Sequence, residues 1–269
     1  MRGSHGTIGR RRTGPVWLFD LDNTLHHASH AIFPHINREM TAYIERTLSV
    51  DRDTANRLRV VYTRRYGAAL LGLVRRHGID AHAFLREVHP SDSLSEMVRG
   101  ERGLRRTLSQ LPGRKVVLTN GPSDYAHTIL DALGIRGYFE RVIAIEDMRR
   151  GSHWQAKPER TVMRRVLRKV GVPLAQASRA TLVEDTHGHL KRYRRLGIRT
   201  VWITGFIPVR NTAARQASQA ALTASSTERA APASDPLLRQ QLVAPPRITA
   251  SRPHYVDHRV RTLSKLPRR

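Results

Sequence analysis

Short apolar runs recur along the chain at 16–19, 115–119, 141–145, 181–184 and 200–203. Each is rich in Val, Ile and Leu and each stops at a polar or acidic residue, the pattern of strands buried on both faces. Between the later runs, apolar residues at helical spacing predict helices near 123–133, 159–170 and 187–196. Gly134 and Gly197 stand where helix C-caps belong, each followed by Ile. Strands alternating with helices predict an α/β fold, a doubly wound, Rossmann-like parallel sheet covered on both faces.

Residues 28–111 break this rhythm. Ile36, Met40, Tyr43, Ile44 and Leu48, then Leu58, Val61, Tyr62 and Leu70, keep a helical period over a stretch too long for a crossover. An inserted α-helical cap is expected there, with the α/β core formed by 15–27 and 112–205. The two ends read differently. Residues 1–14 hold four arginines without periodicity, as in a mobile basic arm. Residues 206–269 are biased to Ala, Ser, Thr, Arg and Pro and predict a largely disordered basic tail, with one short helix near 237–243.

Charge and composition narrow the function. The formal net charge is +25, and of the 47 Lys plus Arg only five are Lys, so arginine dominates. Residues 207–269 alone carry eleven basic and three acidic side chains. Such termini attract nucleic acid, although no aromatic-interleaved basic motif or recognition helix accompanies them. The chain has no cysteine, which excludes disulfides, thiol nucleophiles and thiolate zinc sites. No apolar stretch reaches the length of a membrane span, and Asp20 interrupts the apolar run behind Arg10-Arg11-Arg12 before a signal h-region forms. A soluble, cytoplasmic protein with no membrane partner is the expectation.

Chemistry concentrates where strands end, which in open parallel sheets is where ligands bind. The first strand runs into Asp20-Leu21-Asp22-Asn23-Thr24, two carboxylates that need a counter-charge, for which an oxygen-preferring Mg²⁺ is suited. The second ends in Thr119-Asn120-Gly121, a hydroxyl and main-chain N–H groups that suit an oxyanion. Lys157 precedes Pro158 at a helix start, and a scarce lysine there can neutralise a phosphate. The fourth run ends in Glu184-Asp185. Each of these also has an ordinary local role as a cap, turn or surface residue. His26, His27, His30 and His35 cluster at the start of the insertion, but without cysteine and beside a carboxylate site they read as capping or solvated histidines.

The four motifs in this order resemble the haloacid dehalogenase superfamily of phosphohydrolases, over residues 15–205, in the branch with a helical cap. Tyr62–Leu73, written Tyr-Thr-Arg-Arg-Tyr-Gly-Ala-Ala-Leu-Leu-Gly-Leu, and His77-Gly78-Ile79-Asp80 resemble the pyrimidine 5′-nucleotidases of that superfamily. The resemblance implies Asp20 as nucleophile through an aspartyl-phosphate and Asp22 as general acid and base. It implies Thr119, Asn120, Gly121 and Lys157 around the phosphate. Mg²⁺ would be held by Asp20, the Asp22 backbone carbonyl and Asp185, with Glu184 outside them. Tyr62 and Tyr66, four apart on a helix, and Arg65 would line the entrance and stack on a nucleobase, or pack the cap. One departure stands out: many relatives have Asn four residues after the second acid of the last motif, where this chain has His189. The expected substrate is a small phosphomonoester, a pyrimidine nucleotide first, a sugar phosphate or phosphoglycolate second. Nucleic-acid binding by the basic termini is a third reading.

Overall fold

The computed structural model describes residues 14–89, 94–207 and 251–267. Six strands, β1 (Val16–Phe19), β2 (Arg114–Leu118), β3 (Arg141–Ile143), β4 (Ala180–Glu184), β5 (Arg199–Ile203) and β6 (His258–Val260), form one sheet in the order β3-β2-β1-β4-β5-β6. Every neighbouring pair is parallel. β1 is central: Phe19 lies opposite Val117 on one side and Val183 on the other. Its four residues are all buried, so the run is apolar without alternation.

The two faces of the sheet bury different sets of the same strands. Trp17, Phe19, Val117, Val183 and Val201 face one way, toward Ile129 and Leu130 of α7 (Ser123–Ala132). Val16, Leu18, Val116 and Leu182 face the other, toward Val162, Met163 and Val166 of α8 (Arg160–Lys169) and Leu190 and Tyr193 of α9 (His187–Arg194). The chain runs outward from β1 to β3, then returns to the far side of β1 with β4, so the crevice beside β1 opens at the carboxyl ends of β1, β2 and β4.

The insertion between β1 and β2 is helical. Its helices α1 (Ile32–Leu48), α2 (Arg52–Tyr66), α3 (Ala69–His77) and α4 (Ala81–Val88) share a core of Tyr43, Ile44, Leu58, Tyr62, Leu71 and Phe84. Asp51 and Asp80 cap α2 and α4 by accepting from Thr54 N and Ala83 N. The remaining two, α5 (Leu94–Met97) and α6 (Leu104–Gln110), pack elsewhere: Leu94, Leu104 and Leu108 join the Phe19 face of the sheet. Within the insertion expected over 28–111, α5 and α6 thus lie against the sheet, and Ile32 and Ile36 from the start of α1 join the same cluster.

The expectation of a largely disordered tail is corrected at 251–267. This segment supplies β6, which pairs with β5 in the register Val201↔His258 to Ile203↔Val260. Val256 and Leu263 are fully buried and Leu266 nearly so. Asp257 accepts from Thr200 N at 2.8 Å, Thr200 Oγ1 donates to the Tyr255 carbonyl at 2.8 Å, and the Glu101 carboxylate accepts from Leu263 N at 2.8 Å. The apolar residues are too few and too dispersed among Arg and His to show a period. The basic arm, except Gly14, and the helix near 237–243 lie outside the described residues. No described helix is long and apolar enough to cross a membrane.

Candidate active site

Asp20 follows β1 directly, Thr119 follows β2, Glu184 ends β4 and Asp185 follows it, so three adjacent parallel strands deliver these side chains to one mouth. Lys157 arrives from the loop before α8 and is almost fully buried. Its Nζ lies 2.5 Å from Asp20 Oδ1 and 2.9 Å from Glu184 Oε2. Thr24 Oγ1 donates to Asp20 Oδ2 at 3.0 Å. Glu184 Oε2 also meets His189 Nδ1 at 3.1 Å, and its Oε1 accepts from Thr186 N at 3.2 Å. His189, the departure in the last motif, thus still serves the acid pair. Trp202 Nε1 donates to the Asp185 carbonyl at 2.8 Å and fixes the turn after β4.

Asp20, Glu184 and Asp185 each offer an oxygen within 4.8 Å of the others. One ammonium among three carboxylates leaves charge uncompensated. Burial pushes the Asp20 carboxyl up to about 7, with the Glu184 charge adding to it and Lys157 opposing it. Burial and the same neighbouring carboxylates hold Asp185 well above the usual range. Glu184 goes the other way: burial opposes its charge, but Lys157 and His189 more than offset this and hold it ionised. Burial likewise opposes the Lys157 charge, and Asp20 and Glu184 outweigh it, so the ammonium is held above its usual range. An all-oxygen donor set with surplus negative charge fits a hard divalent cation.

Asp22 stands apart from this trio. Its Oδ1 accepts from the Tyr125 hydroxyl and lies 3.0 Å from His26 Nε2. Neither partner was visible as a site residue in the sequence. Tyr125 stands in the first turn of α7 and His26 was one of four clustered histidines, so only the fold selects them.

Asn120 and Gly121 have internal duties. The Asn120 side chain accepts from Lys157 N at 2.8 Å and donates to the Lys157 and Gly67 carbonyls at 3.1 and 3.2 Å. Gly67, with φ of 91°, ends α2 so close that a Cβ there would sit 2.2 Å from the Lys157 carbonyl oxygen. Gly121 N donates to Thr119 Oγ1 at 2.9 Å, and Gly121 does not line the cavity. In the cap, Tyr66 and Arg65 do line it. Tyr62 does not: it is fully buried, its hydroxyl 2.7 Å from His77 Nε2, so of the two roles open to it the entrance is ruled out. Its side of α2 faces α3, so the packing role wins.

These groups floor a cavity of about 1010 Å³. Its rim carries Arg64, Arg65 and Arg75 from the cap and Lys191, Arg192 and Arg195 from the far side, against the single carboxylate of Glu159. The Arg65 and Arg75 guanidiniums lie 5.8 and 5.3 Å from the Tyr66 ring centre.

A buried carboxylate at the end of the central strand, a lysine bridging it to an acid on the next strand, and a helical insertion above them define a class of hydrolase. Residues 16–190 match the model of the haloacid dehalogenase-like hydrolases, and the chain belongs to that family. Phosphate metabolism protein 8 of Saccharomyces cerevisiae is 26% identical over 138 residues, which are 47% of this chain and 42% of that protein. The chain therefore spans less than half the length of that relative. The crystal structure of a haloacid dehalogenase-type phosphatase from Thermococcus onnurineus has the same fold, with a TM-score of 0.52 at 17% identity over 93% of this chain and 94% of that one.

Proposed function

We propose that the protein is a Mg²⁺-dependent phosphomonoester hydrolase acting through an aspartyl-phosphate, with pyrimidine nucleoside 5′-monophosphates as its substrates. The observation that carries this is Lys157 held between Asp20 and Glu184, with Asp185 in reach, on the floor of an open cavity. Phosphate esters are dianionic and react very slowly unaided, so an anionic nucleophile needs its repulsion offset. Asp20, Asp185 and the Asp22 backbone carbonyl would hold Mg²⁺, with Glu184 outside them, and the bound ion would supply that positive charge.

This chain's residues do the rest. Asp20 attacks phosphorus as the bond to the leaving oxygen breaks, and Asp22 gives that oxygen its proton. Asp22 then takes a proton from water, whose oxygen displaces Asp20 and releases phosphate. The Thr119 hydroxyl, the Asn120 backbone N–H and Lys157 hold the equatorial oxygens. Tyr66 and Arg65 at the rim suit a planar base with carbonyl oxygens. The name of the yeast relative, which ties it to phosphate metabolism, is in keeping with this chemistry.

A second reading, another small phosphomonoester such as a sugar phosphate or phosphoglycolate, is favoured by the six cations of the rim, which would take a further anionic group. The basic termini named for nucleic-acid binding lie largely outside the described residues. A panel of nucleotide and sugar monophosphates with Mg²⁺ decides between the two. Release of phosphate fastest from UMP and CMP supports the nucleotide reading. Preference for a carboxylated or bisphosphorylated ester supports the second, and turnover of none of them refutes both.

A further inference from the structure

Asp22 reaches the cavity half-buried, and its side chain is not free to turn. Tyr125 and His26 approach the same oxygen, Oδ1, from different elements. With Oδ2 left to carry the proton, Oδ1 accepts: the phenol donates to it, and so does Nε2 in the tautomer that holds its proton there. Oδ2 makes no hydrogen bond among the described residues. His26 is fully buried, and among the described residues its Nδ1 has no hydrogen-bond partner, so the contact through Nε2 is the ring's one polar anchor there. A Cβ on Gly121 would lie 2.8 Å from the Tyr125 ring, so glycine at this turn is what lets the ring reach Asp22. Behind it, the His89 ring from the end of α4 sits 5.4 Å from the Tyr125 ring, with Nδ1 3.1 Å from the Leu85 carbonyl. Burial pushes His89 down to about 4, so near neutral pH it is an uncharged aromatic wall.

We propose that Tyr125 and His26 are positioning residues that clamp Asp22 through Oδ1 and so present Oδ2 to the leaving oxygen. This rests on Asp22 acting as the general acid of a phosphomonoesterase. Its consequence is selective. An alkoxide leaves only if a proton is delivered as the bond to phosphorus breaks, whereas p-nitrophenolate leaves without one. A misplaced Asp22 therefore slows alkyl esters and spares aryl esters.

The test compares benzyl phosphate with p-nitrophenyl phosphate, esters of similar size that differ in leaving group. Alcohol release is followed in a single turnover by the full chain with Mg²⁺. Tyr125→Phe keeps the ring and loses the donor. It is expected to slow benzyl alcohol release by about 10-fold or more, while p-nitrophenol release changes by less than about threefold. His26→Gln, which keeps a donor in place of Nε2, should restore most of the benzyl rate lost in His26→Leu. Equal losses on both esters, no loss on either, or a Gln variant no better than Leu overturns the clamp. Wild-type protein that hydrolyses neither ester overturns the phosphatase reading itself, an outcome distinct from the others.

Discussion

Leu263 offers the sharpest test of the C-terminal docking. Its side chain is fully buried in the cluster that contains Leu104 and Leu108, and its N–H is held by Glu101 at 2.8 Å. Truncating a buried leucine removes its transfer free energy and leaves a void, together about 2–5 kcal/mol. For a folded unit of this size each kcal/mol shifts the melting temperature by about 2–4 °C, so Leu263→Ala at about 3 kcal/mol should lower it by about 6–12 °C. The same change at Leu174, which is 48% exposed, makes a matched control. It should stay within about 0.5 kcal/mol of wild type. Thermal unfolding of the full chain, followed by circular dichroism, reads both. A drop under about 2 °C for Leu263→Ala, or equal drops for the two leucines, would refute the docking of 251–267 on the sheet.

Other outcomes follow from the site. Asp20→Asn should abolish Mg²⁺-dependent phosphate release with the circular dichroism spectrum unchanged; turnover near wild type would remove Asp20 as nucleophile. Lys157→Met leaves the Asp20 and Glu184 carboxylates buried without their ammonium, which should cost about 3–5 kcal/mol near neutral pH, read by urea unfolding. The Asp20 carboxyl is raised from 3.8 to about 7, so without a cation the folded state binds a proton the unfolded state does not, and stability falls as pH rises through that window. Metal binding needs the ionised form, so saturating Mg²⁺ should raise the melting temperature more at pH 8 than at pH 5.5; an equal gain at both would be evidence against a carboxylate site. Tyr66→Ala should raise KM for UMP but not for p-nitrophenyl phosphate, and equal effects would return Tyr66 to a packing role.

Much of the architecture was legible because buried parallel strands leave an unmistakable trace. The runs ending at Asp20, Thr119 and Glu184 announced both the sheet and the positions of its polar ends. The insertion was legible from its helical period, but not its division, since Leu104 and Leu108 have the same pattern whether they face the cap or the sheet. β6 was hidden because His258-Arg259-Val260 is an edge strand with one buried residue, and 54 residues lie between the end of its partner β5 and its own start. Tyr125 and His26 were hidden for another reason. Their role comes from convergence on Asp22 across 103 and four residues, and single-sequence spacing carries no trace of such contacts. The polar stretch 149–155 before Lys157 conceals Trp154, whose ring packs into the cap core beneath Arg149.

The Asn120 carboxamide joins the end of α2 to the loop that carries Lys157, one side chain grasping both carbonyls and a backbone amide. Tyr66, next to Gly67, and the lysine that would grip phosphate are therefore parts of one rigid linkage anchored on β2. Choosing a substrate and holding its phosphate become correlated tasks. Changes at Tyr66 and Asn120 should then fail to combine additively, since loosening the linkage already releases what the aromatic ring would have steered.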